Sequence, residues 1–280
     1  MAYEVMLAVL FSALLHAGWN ALLRAAPDKR LGSLLVAAGA ALWSIPWLWL
    51  LPAPEAASRV WLVASALIHV LYFRLLSLAY RHTDLSLAYP VMRGAAPLLA
   101  ALAALLWLHE QPGLGGWTGI GLIASGVLLL ALGRLPWAGW HASGLAWALG
   151  NALVIALYTV LDGHGARLSG HALAYTAWQF VLTAVLMLGW GAVTQTPRLP
   201  RLQAWHWRVA LLGGGASLAA YSLVLWAMTQ APIARVAALR ETSIVFAALL
   251  GWWLLGERLS RQRLLAIAVV LSGAALLRLA

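Results

Sequence analysis

Runs of about 20 apolar residues recur from one end of this chain to the other, and a run of that length crosses a hydrocarbon core of about 30 Å as a helix. Ten can be placed, over 5–23, 31–51, 60–79, 85–106, 115–132, 144–161, 172–193, 209–229, 233–255 and 264–279. The connections are short, and no soluble domain fits between them. Alternation of period two is absent, so the spans are predicted to be helices rather than barrel strands. With 64% apolar and 9% charged residues, a chain of 280 residues cannot cover itself with a water-facing surface. The expected fold is an all-α integral membrane protein with ten transmembrane helices.

Residues 85–132 and 232–279 can be laid over each other without a gap, at a constant offset of 147. Arg93 then falls on Arg240, Glu110 on Glu257, Ser125 on Ser272 and Gly126 on Gly273. Shared Leu and Ala carry little weight at this composition, but an Arg, a Glu and a Ser-Gly pair in register point to a duplicated helix pair. The segment 133–143, which contains Pro136, separates five spans from five. The sequence is therefore divided into a first five-helix repeat at 1–132, a linker at 133–143 and a second five-helix repeat at 144–280. Repeats with an odd number of spans insert in opposite directions, the inverted layout found among secondary transporters.

A net charge of +10 does not make this a nucleic-acid binder, because only one of the 18 basic residues is a lysine and the arginines lie mostly between apolar runs. That is ordinary membrane-flanking charge, and no nucleic-acid partner is expected. Its distribution is uneven. The turns after odd-numbered spans carry 11 basic residues, against 3 for the termini and the other turns. The positive-inside rule then places both termini outside. The absence of cysteine excludes disulfides and thiolate metal sites; no metal or cofactor is expected. The first run lacks a basic n-region and a small-residue cleavage site, so it is taken as a retained helix. Most of the 17 tryptophans lie near span ends, where an amphipathic ring suits the headgroup level. Trp19 and Trp178 are exceptions.

Polar side chains within spans mark the interior. His16, Trp19 and Asn20 share a face of the first span, and His69, Tyr72 and Phe73 a face of the third. In the fourth, Pro90 and Pro97 bracket Arg93; in the sixth run, Asn151 and Tyr158 lie roughly in line with Asp162 just beyond its end. The seventh span carries Trp178, Gln179 and Thr183. The glycines of GGGAS at 213–217 allow close packing or bending, and the sequence does not choose between them. The ninth holds Arg235, Arg240, Glu241, Thr242 and Ser243, the most polar interior in the chain.

Arg93 and Arg240 each lie about 12 Å into their spans at 1.5 Å per residue. An arginine at that depth costs about 2.5 to 3.5 kcal/mol on insertion scales and so faces a wet cavity or a partner. One reading is structural: Arg240 with Glu241, or Arg93 with a carbonyl freed by a proline. The other is that both guanidiniums line a central cavity and hold an anionic group, since a planar fork suits carboxylate or phosphate. Glu241 is the sole acid placed well inside a span. It is read either as a counter-ion or as a carrier of a coupling proton, with His16 and His69 as other proton carriers. Glu110 and Glu257 are read as solvated turn carboxylates or helix caps.

HAGWNALLR in the first span, DLSLAYPVMRG in the fourth and LGERLSRQRLLAIAVVLSG at the end resemble the patterns of EamA-type transporters of the drug/metabolite transporter superfamily. The resemblance covers essentially the whole chain. It implies two five-span halves and transport of a small molecule, and it leaves the substrate open among amino acids, nucleotide sugars, sugar phosphates and drugs. HAGWN together with the mid-span Arg93 is also similar to a subset associated with phosphonate utilisation. Family members are often drawn with both termini in the cytoplasm, opposite to the charge count.

The expected function is secondary-active transport of a small anionic or zwitterionic metabolite by alternating access, proton-coupled or by exchange, in a multi-pass membrane protein of the cell membrane, a bacterial inner membrane. Arg93, Arg240, Tyr89, His16, Trp19 and Asn20 are the expected substrate contacts, with Tyr158 and Gln179 from the other half. Partners are the substrate, the bilayer and a coupling proton, for a monomer or homodimer. A flippase for a phosphate-bearing lipid is the alternative. A membrane-embedded transferase or hydrolase is the rival class, but no nucleophile elbow, HExxH, P-loop or paired-acid motif is present, so no enzymatic activity is expected.

Overall fold

A computed structural model describes residues 1–26, 29–82, 85–132, 142–193, 203–256 and 259–279. These residues are helical almost throughout: α1 (Tyr3–Ala25), α2 (Lys29–Leu50), α3 (Ala56–His82), α4 (Leu85–Leu108), α5 (Gly113–Leu132), α6 (Ala142–Leu168) and α7 (Ala172–Val193), then α8 (Ala204–Gln230), α9 (Ile233–Arg240), α10 (Ser243–Leu255) and α11 (Arg261–Leu279). Among the described residues nine helices are long and apolar enough to cross a membrane, and α9 with α10 makes the tenth span in two pieces. The protein is a ten-span, all-α membrane protein. Most of the expected linker, 133–141, lies outside the described residues, as do Glu257 and Arg258.

Leucines on outward helix faces are exposed, as lipid-facing side chains are, and so are tryptophans near span ends: Trp49 is 86% and Trp253 74% exposed. The buried faces are built from small residues, which let backbones approach where no hydrophobic effect drives helices together. Where α5 crosses α11, a Cβ on Gly126 would stand 3.0 Å from the Ala266 carbonyl oxygen, and one on Gly273 would stand 2.7 Å from that of Gly119. These two contacts exchange under the offset of 147, which carries 119 to 266 and 126 to 273. The same offset relates His109 to Gly256, and both have left-handed backbone, φ 55° and 64°, just past the ends of α4 and α10. Glycine takes that conformation without strain; histidine does not. Helix pairing follows the same exchange: α1 packs on α8 as α3 does on α6, α4 meets α6 as α1 meets α9 and α10, and α2 meets α7.

The glycine run in α8 turns out to serve both bending and packing. Val209–Gly213 is a π-helical turn, and its widened ladder leaves the Leu211 carbonyl to accept the Trp43 indole N–H at 3.0 Å. Gly39 of α2 presses on this turn so closely that a Cβ there would sit 1.8 Å from the Ala210 carbonyl oxygen. Gly39→Ala must push α2 away from α8. It is expected to lose about 1 to 3 kcal/mol of stability, whereas Gly18→Ala, with nothing within 4 Å of the new methyl, keeps the wild-type melting temperature. Thermal unfolding of both in detergent checks this.

Candidate functional site

The site is built on the interruption of the ninth span. Glu241 and Thr242 have φ/ψ of −67°/−11° and −58°/−14°. Their amides donate three residues back, to Ala238 and Leu239 at 3.0 and 3.1 Å, and the amide of Ile244 does the same to Glu241 at 3.1 Å. The helix is overwound there into a 3₁₀ turn. Neither glycine nor proline causes it. The Thr242 hydroxyl donates to the Leu239 carbonyl at 2.8 Å, a local bond that competes with the regular ladder, and Glu241 is drawn to a partner on another helix.

That partner is Arg93 of α4, whose Nε lies 2.8 Å from Glu241 Oε2. Arg240 Nη2 stands 4.0 Å from Oε1 of the same carboxylate. All three side chains are buried. Arg93 therefore does not spend itself on a carbonyl freed by Pro90 or Pro97, and Glu241 is shared between the two arginines that the repeat puts in register. Two guanidiniums face one carboxylate, so the cluster carries an excess positive charge. Arg93 Nη2 and Arg240 Nε are buried without a hydrogen-bond partner. Beside them a void lined by Pro97, Ala100, Ile155 and Thr159 has room for about one water molecule.

Most of the expected contact residues gather here. Tyr158 of α6 lies within hydrogen-bonding reach of Arg240, Tyr89 and Tyr72 flank Arg93, and His16 of α1 stands near both arginines. Trp19 meets the His16 ring edge-on at 5.0 Å, with its buried indole N–H unpartnered. Asn20 instead turns back and donates to the His16 carbonyl at 2.8 Å. Gln179 does not reach the arginines. Its Nε2 lies 3.1 Å from His69 Nδ1 and donates to Thr183 Oγ1 at 3.2 Å, so it joins the cluster only through His69, whose ring lies 4.2 Å from that of Tyr158.

The sixth run brings a second acid into the interior, which corrects the reading of Glu241 as the sole acid well inside a span. The apolar run predicts an end at 161, just short of Asp162, but α6 continues to Leu168 and Asp162 is fully buried. It accepts hydrogen bonds from the hydroxyls of Tyr175 on α7 and Tyr221 on α8, at 3.1 and 2.5 Å. It follows Tyr158 by four residues on the same helix face, as the sequence predicts.

At one end of the bundle the halves are tied together. Arg167 Nη1 pairs with Glu110 Oε1 at 2.6 Å, and the other Glu110 oxygen accepts the Ile233 amide at 2.8 Å, capping α9. Arg167 also donates to the carbonyls of Met228 and Ala231, and Arg235 donates to that of Pro112 at 2.8 Å. Glu110 is thus a helix cap, as one of its two readings had it, but a cap reaching across from the other half of the chain.

Residues 142–279 match the model of the EamA-like transporter family, and residues 33–123 match that of the Small Multidrug Resistance proteins. Both matches are consistent with an EamA-type transporter of the drug/metabolite transporter superfamily. Multidrug resistance protein EbrA of Bacillus atrophaeus is 39% identical over 69 residues, which are 24% of this chain and 66% of that relative, just under two thirds of its length. A solved crystal structure superposes with a TM-score of 0.74 at 19% identity, covering 100% of this chain and 98% of the other, and shows the same fold. These families are transporters, not enzymes.

The ion cluster predicts how the site fails. Glu241→Gln strands two buried guanidiniums and is expected to cost about 3 to 5 kcal/mol. Adding Arg93→Gln removes one stranded charge and is expected to recover part of that loss. A double-mutant cycle on thermal unfolding tests it; additive losses would mean that the side chains act independently.

Proposed function

We propose that this protein is a secondary-active transporter for a small metabolite carrying a carboxylate, phosphonate or phosphate group, and that the group is held between Arg93 and Arg240. The observation that carries this reading is the pair of buried guanidiniums sharing one carboxylate, with N–H donors left unpartnered. A bound anion would complete the charge balance and accept those donors, and a guanidinium presents two of them in one plane. Tyr89, Tyr158 and the His16–Trp19 face complete the contact, with Asn20 holding the backbone of that face and Gln179 acting through His69.

Alternating access moves such a site between the two faces of the membrane. The division at 1–132 and 144–280 supplies two five-span bodies for that motion, and the exchange of contacts under the offset of 147 supports it. In the conformation described, the Arg167–Glu110 pair ties the two halves together at one end, and the void beside the arginines is too small for a metabolite. Substrate entry therefore requires the cluster to open, and coupling is by exchange or by a co-transported proton.

A second reading has a specific observation behind it. The relative named for multidrug resistance matches part of the chain, and efflux of a drug follows if that likeness extends to substrate. The excess of buried positive charge argues against a cationic one.

Counterflow in proteoliposomes separates the readings. Vesicles preloaded with 2-aminoethylphosphonate, glycerol 3-phosphate or L-glutamate are expected to take up the same labelled compound in at least one case, and vesicles loaded with tetraphenylphosphonium are not. Arg93→Lys keeps the charge and loses the fork, and is expected to lower uptake at least about tenfold, the equivalent of one charge-assisted hydrogen bond. Uptake of the cation alone, or of a labelled phospholipid alone, would replace this reading with drug efflux or lipid translocation.

A further inference from the structure

Asp162 has no part in the anion site, yet it is as deeply buried as any group in it. Its two oxygens are each met by a neutral hydroxyl, Tyr175 from α7 and Tyr221 from α8, and it belongs to no ion pair among the described residues. The charged and titratable groups facing it can be named element by element. From α3 come His69 and, as a hydroxyl donor, Ser65. Tyr158 precedes it by one turn on α6, and through Tyr158 stand Arg240 of α9 and Arg93 of α4, with Glu241 between them. The ring of His69 bridges the two clusters, 4.2 Å from Tyr158 and 6.4 Å from Tyr221.

The charges in this interior balance in a particular way. With Asp162 and Glu241 ionised and His69 neutral, two carboxylates offset two guanidiniums. One proton more leaves the interior with a net positive charge, and one bound monoanion returns it to neutrality. Only one of the two acids can accept that proton cheaply. Both oxygens of Glu241 face guanidiniums, so protonating it strands two buried cations. Protonating Asp162 breaks no ion pair, and because a tyrosine hydroxyl both donates and accepts, the surrounding bonds can reverse direction without moving a side chain.

We propose that Asp162, hydrogen-bonded to Tyr175 and Tyr221, is the proton-binding residue of this carrier, taking up one proton with each anion held by Arg93 and Arg240. The proton adds to a carboxylate oxygen from one side of the membrane and leaves to the other, with no covalent change in the substrate. This deepens the anion-transport reading and rests on it for the coupling, though not for the proton site. It moves the proton from Glu241, the candidate read from sequence, to an acid one helix away.

Infrared titration of the purified protein in nanodiscs tests the proton site without any substrate. Acidification of the wild type is expected to raise a protonated-carboxyl stretching band that is absent in Asp162→Asn, shifted in Tyr221→Phe and retained in His69→Gln. In proteoliposomes, Asp162→Asn is expected to show counterflow of the anion probe that the wild type exchanges, but no accumulation driven by a pH gradient. A band that survives Asp162→Asn, or disappears in His69→Gln, overturns the proposal, as does gradient-driven accumulation by Asp162→Asn. Should that variant fail to fold, an unshifted band in Tyr221→Phe overturns it equally. If wild-type vesicles exchange none of the anion probes, the transport reading falls while the infrared band still decides the proton site.

Discussion

The ion pair between Arg93 and Glu241 is the contact on which the middle of this protein depends. Removing two charges from water costs several kcal/mol for each, and the cost is offset only by close geometry and further hydrogen bonds. Both requirements shape the surrounding helices. The ninth span tightens at Glu241 and Thr242, so that the carboxylate meets α4 while Arg240 stays at its other oxygen. Tyrosines from α3, α4 and α6 surround the guanidiniums. Small residues along α5, α8 and α11 keep the outer crossings close, leaving the polar cluster in the middle.

The same contact explains the chemistry. A buried cluster that was purely structural would be expected to balance its charges and satisfy its donors. This one leaves N–H groups on both arginines unpartnered, and only one carboxylate, Glu241, pairs with the two guanidiniums. The neighbouring Asp162 is solvated by hydroxyls alone, so charge and hydrogen bonding are divided between two linked clusters, one cationic and one acidic. The Arg167–Glu110 pair works differently. It lies at the end of the bundle, partly open to solvent, and joins the first-half turn to the start of α9. Opening that end exchanges its bonds for water at small cost, which a motion between two conformations requires.

Much of the fold was legible because membrane insertion enforces long apolar runs, and the register pairs Arg93 with Arg240, which the structure brings to one carboxylate. What was not legible depends on contacts between distant segments. Glu241 sits next to Arg240 in sequence but bonds most closely to Arg93, which only the packing of α4 on α9 can show. The break in the ninth span has no glycine or proline to announce it. Asp162 follows the apolar run that ends at 161, and its burial depends on partners, Tyr175 and Tyr221, that lie 13 and 59 residues away. Trp43 looked like an interfacial anchor, and its bond to a carbonyl freed by a π turn could not be read from either residue alone.

The absence of cysteine makes one measurement direct. Thr159 lies 3% exposed in the wall of the void beside Arg240 and Glu241, so a single thiol placed by Thr159→Cys reports on the proposed anion site. In sealed vesicles of known orientation, alternating access predicts labelling by a membrane-impermeant thiol reagent from either side, one conformation at a time. It also predicts protection by the transported anion and loss of that protection in Arg93→Lys. A thiol unreachable from both sides during turnover, or reached equally with and without the anion, would contradict a central anion site between Arg93 and Arg240.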